Sequence, residues 1–494
     1  MTRRRHPELL TAALGAVLAS IAGVEAQGAA PPPLLRNGAF FEWKEGAPVA
    51  WQARHAQGPL LGRHVTVSPG TNGHGLVLHA DTRTTAWTYL AQDVEAEPGK
   101  VYRVEIDAEL TAPGGAAASF FGVAARGKAG MHRRLTVLHP GGAERDAVYF
   151  RAPPDARRAE VFVRLSSTGR LAVSRLTMTV MPPDSSFDVL VRDMDRHYSY
   201  FAHKKVDWKA LTDGFRDRMQ AASDANAFVV QAVQMLAALR DGHVHLVDPA
   251  GKLHQPYLPP RTLNFDFKRL RGELRVPRQF GRAGLVAKTA DGFGYVLLAS
   301  FRNESSSDLA ELLRALDGLL DCPGLIFDVR GNGGGNDAWA AQIASRLTDR
   351  EVVYSTTRVR AGTRHDAFSA PRPQSIKPRK GPVGRPYSRP IVCLAGSFTM
   401  SSAEAFVMMM KALPHARVIG EPTRGSSGNP SPLDLPNGVT VHYSRWVQCL
   451  PDGSVLEGRG VVPDQAVAWS EDGADSVFSA GLTDLRQRTR ARGR

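Results

Sequence analysis

The sequence predicts a multidomain chain: an all-β sandwich, then a three-helix subdomain, then an α/β core. Three observations carry this. The 494-residue length exceeds a single typical domain. The period of the apolar residues changes from two to about 3.6 near residue 187. From about 256 onward strand-like and helix-like runs alternate. A composition of 43% hydrophobic and 22% charged residues supplies enough core material to exclude disorder as the main state.

Residues 1–26 read as a cleavable export signal. "MTRRRHPE" is a basic start, "LLTAALGAVLASIAGV" is an apolar stretch short of a bilayer span, and "VEA" offers small residues for cleavage near Ala26. The expected location is exported, periplasmic or extracellular, with no membrane span after cleavage. Residues 35–181 form the sandwich. "KVYRVEIDAEL", "RLTVLHP", "AEVFVRL" and "LAVSRLTMTV" alternate, and "APGG" and "PGG" separate such runs. "LLRNGAFFEWKEGAPVAW" and "AQDVEAEPGKVYRVEID" resemble the start of jelly-roll domains of the carbohydrate-binding or galactose-binding type. That resemblance implies a turn at Asn37-Gly38, Trp43 and Trp51 near a sheet face, and a glycan or wall polymer as partner. An aromatic on a sandwich is more often core than sugar platform.

"MPPDSS" ends the last strand and offers helix caps. In residues 187–255 three segments place apolar residues three and four apart: "FDVLVRDMDRHYSYF", "DWKALTDGFRDRMQAA" and "ANAFVVQAVQMLAAL". The core, 256–470, holds "FGYVLLASF", "GLIFDVRG" and "RPIVCLAG" as strands, each followed by a helical run. The Pro-rich basic interval 370–390 predicts an irregular surface excursion. Residues 471–494 form a C-terminal amphipathic helix and a basic tail, read as solvated. The net charge of +14 carries no nucleic-acid claim without a recognisable nucleic-acid fold. Cys322, Cys393 and Cys449 are too few for a disulfide framework and read as buried thiols. With no zinc-site spacing, P-loop or dinucleotide fingerprint, no metal or cofactor is expected.

Four segments bear chemistry. "LIFDVRGNGGGND" ends a strand in Gly333, Gly334 and Gly335, which can aim backbone N–H groups at an oxyanion or simply make a tight turn. In "MSSAE", Ser401 and Glu404 have capping-box spacing, and a helix N-terminus equally favours an alkoxide. "LRDGHVHL" sets His243 after a turn, and "VLEGRGVVPD" offers Glu457 beside glycines. Taken singly, each has an ordinary structural explanation.

In order, "DGH", "GYVLLASF", "LIFDVRGNGGG", "SSAE", "VIGEPTRG" and "PDGSVLEGRGVVPD" resemble the tail-specific, or C-terminal processing, serine peptidases. The resemblance spans Phe187 to about Asp464 and implies a peptidase core of the crotonase/ClpP-like kind. It assigns Ser401 as nucleophile. Where many members carry a lysine base, "GEPTRGSSG" has Ser426, and Arg424 cannot accept a proton. The tricorn-like branch instead uses Ser-His-Glu, which matches His243 as base and Glu457 as its carboxylate. Gly242 stands where the tricorn enzyme has a further serine. The resemblance implies an oxyanion hole from Ser402 N–H and one of Gly333 or Gly334. It also implies a protein or peptide substrate. The interval before "GYVLLASF" is too short for the PDZ-like module of processing proteases, so tail specificity is not implied. Two alternatives stay open: an inactive peptidase-like binding protein, and an esterase or other acyl hydrolase using the same site.

Overall fold

The computed structural model describes residues 34–492, apart from 45–46, 56–65, 71–74, 81–87, 112–118, 139–141, 166–167, 259, 261, 380–385 and 472. The expected export signal, 1–26, lies outside the described residues.

Strands β1 (Gln52–His55), β2 (Thr66–Pro69), β3 (Leu76–Ala80), β4 (Thr88–Glu95), β5 (Val101–Thr111), β6 (Ser119–Gly127), β7 (Gly130–Leu138), β8 (Gly142–Arg151), β9 (Arg158–Leu165) and β10 (Gly169–Val180) build two five-stranded sheets. Their orders are β8-β5-β10-β3-β2 and β1-β4-β9-β6-β7. Alternation decides the packing: Val104, Ile106, Val123, Val161 and Val163 face inward and are fully buried, while their neighbours face out. Trp51 belongs to this core, its ring 5.2 Å from that of Phe40, and Trp43 packs against its edge. Neither tryptophan is an exposed platform. Asn37 turns the chain with φ 50°.

The first of these sheets docks on the rest of the chain. Val101 and Tyr149 join the core of the helical region, and Arg151 reaches the carbonyls of Leu435 and Val439 at 3.0 and 3.1 Å. The helices are α1 (Ser186–His197), a single turn α2 (Phe201–Lys204), α3 (Trp208–Gln220) and α4 (Ala225–Leu236). The three long ones match the periodic segments, and Asp207 and Asp224 cap α3 and α4. This region is not closed on itself. Its strands His245–Val247 and Leu253–His254 complete a four-stranded sheet with Thr440–Ser444 and Pro430–Asp434 from late in the chain.

The core is a seven-stranded sheet of β11 (Leu274–Phe280), β12 (Gly284–Thr289), β13 (Gly294–Leu298), β14 (Leu325–Asp328), β15 (Ile391–Ala395), β16 (Ala416–Gly420) and β17 (Gln465–Ala466), in that order. From β13 to β17 the pairing is parallel. Such strands bury both faces, which is why "LIF" and "IVCLA" are apolar without alternation. Helices α5 (Ser306–Asp317), α6 (Asp337–Ala344) and α7 (Ser402–Lys411) share one core with one face. On the other face lies α8 (Ser476–Arg492), through Val477, Phe478, Leu482 and Leu485.

Two expectations need correction. The basic tail is not simply solvated: Arg488 pairs with Asp484 at 2.9 Å and donates to Ile391 O at 3.0 Å, and Arg486 pairs with Asp291 at 2.8 Å. Nor is 370–390 wholly irregular. Arg372–Ile376 is a strand paired with Val352–Val359, because its alternate residues meet a neighbour that local composition cannot reveal. All three cysteines are buried and free.

Candidate active site

Strands β14 and β15 are adjacent and parallel, so the loops after them emerge side by side. The loop after β15 ends at Ser401, the N-cap of α7. Its backbone has φ 58° and ψ −125°, a conformation that costs a non-glycine residue about 1–3 kcal/mol. Glu404 holds it there. One turn into the helix, its Oε2 accepts the Ser401 N–H at 3.0 Å, the return half of a capping box.

Glu404 reaches further than a cap. Its carboxylate also accepts the Thr423 hydroxyl at 2.6 Å and the N–H groups of Gly425 and Ser426 at 2.7 and 3.0 Å. Burial pushes its carboxyl up to about 7, against the opposing pull of these donors. The Ser401 turn is thereby tied to loop 423–427. Ser426, at the position of the missing lysine, is buried and contributes its backbone N–H to this clamp.

The glycine loop closes on Ser401 from the other side. Asn332 pins it, with Nδ2 donating to Leu298 O at 3.0 Å and its own carbonyl accepting Met400 N–H at 3.1 Å. Gly334 has φ +92°, and a Cβ there would lie 2.8 Å from Ser401 Cβ and 3.0 Å from Ser402 N. Only glycine permits this approach. The Gly334 N–H, however, is donated to Asn332 Oδ1 at 2.8 Å, so it is not a spare oxyanion donor. The N–H groups of Gly333 and Ser402 have no such acceptor among the described residues. Ser402 Oγ donates to Gly335 O at 2.7 Å and locks the loop against the helix. Behind the loop, buried Arg330 pairs with Asp328 at 2.7 Å and Asp475 at 2.8 Å.

His243 follows α4 after a short turn. Its N–H donates to Asp241 Oδ1 at 2.8 Å, and Tyr198 OH donates to Asp241 Oδ2 at 2.8 Å. The imidazole Nδ1 lies 3.0 Å from Ser427 O. A carbonyl only accepts, so Nδ1 carries the proton and Nε2 is left as the basic nitrogen. Burial, the largest influence, moves the His243 imidazole below its ordinary value; Asp241 and the Ser427 carbonyl oppose it. The resting ring is neutral.

Glu457 does not hydrogen-bond His243; the expected direct contact is replaced by one relayed through Ser427. Glu457 Oε2 accepts the Ser427 N–H at 3.1 Å, and Oε1 pairs with Lys204 Nζ at 2.8 Å. Burial, then the nearby Asp241 carboxylate, push the Glu457 carboxyl up, and Lys204 opposes them. Ser427 is further fixed by Ser444 Oγ–H, which donates to its carbonyl at 2.9 Å, and by Tyr200 OH, 2.6 Å from its hydroxyl.

Loop 423–427 is thus the junction of the site. It contacts Glu404 at one end and Glu457 and His243 at the other. Ser427 also lines, with Ser401, Ser402, Gly335 and Trp446, a cleft of about 600 Å³. Among the described residues no hydrogen bond joins Ser401 Oγ to His243. Catalytic contacts are often loose in unliganded enzymes. Sequence patterns did not single out Ser427, Lys204, Asp241 or Tyr200. Asp241 sat within the "DGH" motif and could have been found; Ser427 acts largely through its backbone, and Lys204 sits on a single helical turn.

The comparisons with known proteins agree with this architecture. Residues 292–467 match peptidase family S41. The carboxy-terminal processing protease CtpB of Bacillus subtilis (strain 168) is 22% identical over 227 residues, 46% of this chain and 43% of the relative. The match therefore spans less than half of that relative's length. A crystal structure of a candidate peptidase from Parabacteroides merdae superposes with a TM-score of 0.53 at 28% identity, covering 62% of this chain and 97% of that one. Over residues 292–467 the chain is thus similar to peptidase family S41.

Proposed function

We propose that this protein is an exported serine peptidase in which Ser401 attacks a substrate carbonyl and His243 is the base. The observation that carries the reading is the pairing of a strained serine at a helix N-terminus with an abutting glycine loop. His243 Nε2 takes the Ser401 proton during attack and returns it to the leaving amine. The oxyanion is bound by the N–H groups of Ser402 and Gly333. The imidazolium that forms is stabilised by the Ser427 carbonyl and by Asp241. Glu457 supports it one bond further away, by fixing Ser427.

Substrate proteins or peptides enter the cleft between the two loops. The test is hydrolysis of an unfolded protein substrate, with products read by mass spectrometry. Wild type should cleave and Ser401→Ala should not. Equal cleavage by both would refute the assignment. Binding of a substrate without cleavage by wild type would favour the inactive-binder alternative, and turnover of esters alone would favour an acyl hydrolase.

A second reading concerns the outward face of the second sandwich sheet. On the outward side of the β1-β4-β9-β6-β7 sheet, Tyr89, Phe120 and Phe162 line a hollow of about 180 Å³ edged by Arg133, Glu160 and Arg164. Aromatic faces beside charged hydrogen-bonding groups suit a sugar ring, and we propose this face as the glycan contact. Tyr89→Ala should then reduce retention on insoluble cell-wall polysaccharide. Unchanged retention, or none by wild type, would remove this reading.

A further inference from the structure

The steps above leave one charged side chain of loop 423–427 unused. Arg424 donates its backbone N–H to Thr399 O at 3.0 Å, so the residue starts beside the nucleophile turn. Its side chain runs towards the base. A Cβ placed on Gly242 would lie 3.4 Å from both Nε and Nη2 of Arg424, and 3.1 Å from Ser426 Oγ. The guanidinium therefore packs on the backbone of the residue that precedes His243, in space that exists because position 242 lacks a side chain.

Its three nitrogens are all buried, and none has a hydrogen-bond partner among the described residues. Other enclosed arginines are treated differently. Arg330 has Asp328 and Asp475, Arg445 has Asp193 at 2.7 Å, and Arg346 has Asp317 at 2.7 Å. Arg360 and Arg151 each leave Nε without a partner but donate from their terminal nitrogens to carbonyls. A guanidinium stays charged at any working pH, and enclosing it unpaired is costly. The neighbouring carboxylates are committed: Glu404 accepts four donors, and Glu457 accepts Lys204 and Ser427. Among the described residues the fork meets no acceptor within hydrogen-bond distance.

We propose that Arg424 binds a carboxylate of the substrate and so selects acidic peptides. The inference rests on the serine-hydrolase reading of the cleft. Arg424 as a whole is partly exposed, and in the proposed complex its fork turns out from beneath Gly242 to meet the acidic group. A carboxylate matches that fork with two parallel hydrogen bonds, which a neutral amide cannot. The carboxylate is either an Asp or Glu side chain or a free chain terminus.

The test uses the full chain and three matched fluorogenic peptides. One carries a Glu side chain and an amidated end, one is neutral with a free carboxyl end, and one is neutral and amidated. Wild type should favour one charged peptide over the neutral one by about tenfold in kcat/KM, and the favoured peptide names the source of the carboxylate. In Arg424→Gln that ratio should fall to near one, with Arg424→Lys between. No preference in wild type, or a preference intact in Arg424→Gln, would overturn the inference. If Arg424→Gln fails to fold, the wild-type ratio still decides. Fluorophosphonate labelling of Ser401 is read in parallel: labelling without a charge preference defeats this inference alone, and no labelling defeats the hydrolase reading beneath it.

Discussion

The two halves of the candidate site are built from different materials. The nucleophile half, Ser401 and the glycine loop, hangs from the ends of β14 and β15 in the middle of a parallel sheet. It is backed by strands that are apolar up to Asp328 and by α7, whose residues from Ser402 to Met410 are all buried. The base half, His243 and Glu457, hangs from the short antiparallel sheet and α2. Its fixings are polar: Asp241, Tyr198, Tyr200, Lys204 and Ser427. Apolar packing around one buried carboxylate clamp thus sets the first half, and polar contacts alone set the second. Changes in shape should break the nucleophile half, and changes in charge or pH should break the base half.

The largest expected effect is on the first half. Ser401→Ala should lower kcat by about 10⁴-fold or more, because the residual binding interactions cannot replace the nucleophile. His243→Ala should cost about as much, measured in the same assay, since serine and base act as a unit. Gly334→Ala drives a Cβ to within 2.8 Å of Ser401 Cβ at φ +92°, and should lower kcat about 10²-fold with a measurable fall in Tm.

Glu404→Gln separates shape from charge at the junction. An amide NH₂ cannot accept from the N–H groups that the carboxylate holds, so thermal unfolding should show a loss of about 2–3 kcal/mol. On the base half, Lys204→Met should act mainly through Glu457 and reduce kcat about tenfold with little change in KM. Ser426→Ala should stay within about twofold, because only its backbone N–H is used in the clamp.

The pH dependence follows from His243. Its folded-state value lies below that of the unfolded chain, so the unfolded state binds more protons in the interval between them. The stability associated with the neutral ring is therefore complete above the unfolded value, near 6.5, and is lost as pH falls through that interval. Activity should fall on the same acid side, and Glu457→Gln should move that limb. An unmoved limb would remove Glu457 from the relay.

How much of this was legible in the sequence differs between the halves too. "LIFDVRGNGGG" and "SSAE" expose strand, glycine loop and capped helix directly, since each depends on local backbone chemistry. His243 could be matched by motif, but the acceptor of its Nδ1 proton is a carbonyl, and no side-chain pattern announces a carbonyl. Lys204 is 253 residues from its partner Glu457, so only the closed fold joins them. The strand at Arg372–Ile376 and the engaged tail arginines were hidden for the same reason: their partners lie far away in the chain.

Activation of Ser401 by a neutral His243, rather than by a lysine, is the step on which the proposed function rests. Its most direct measurement is the rate of Ser401 modification by a fluorophosphonate against pH, with the modified residue located by mass spectrometry. Modification should fall on Ser401, with an acid limb below about 6.5 in wild type, and both rate and limb should be lost in His243→Gln. Modification at another residue, or an unchanged profile in His243→Gln, would contradict it.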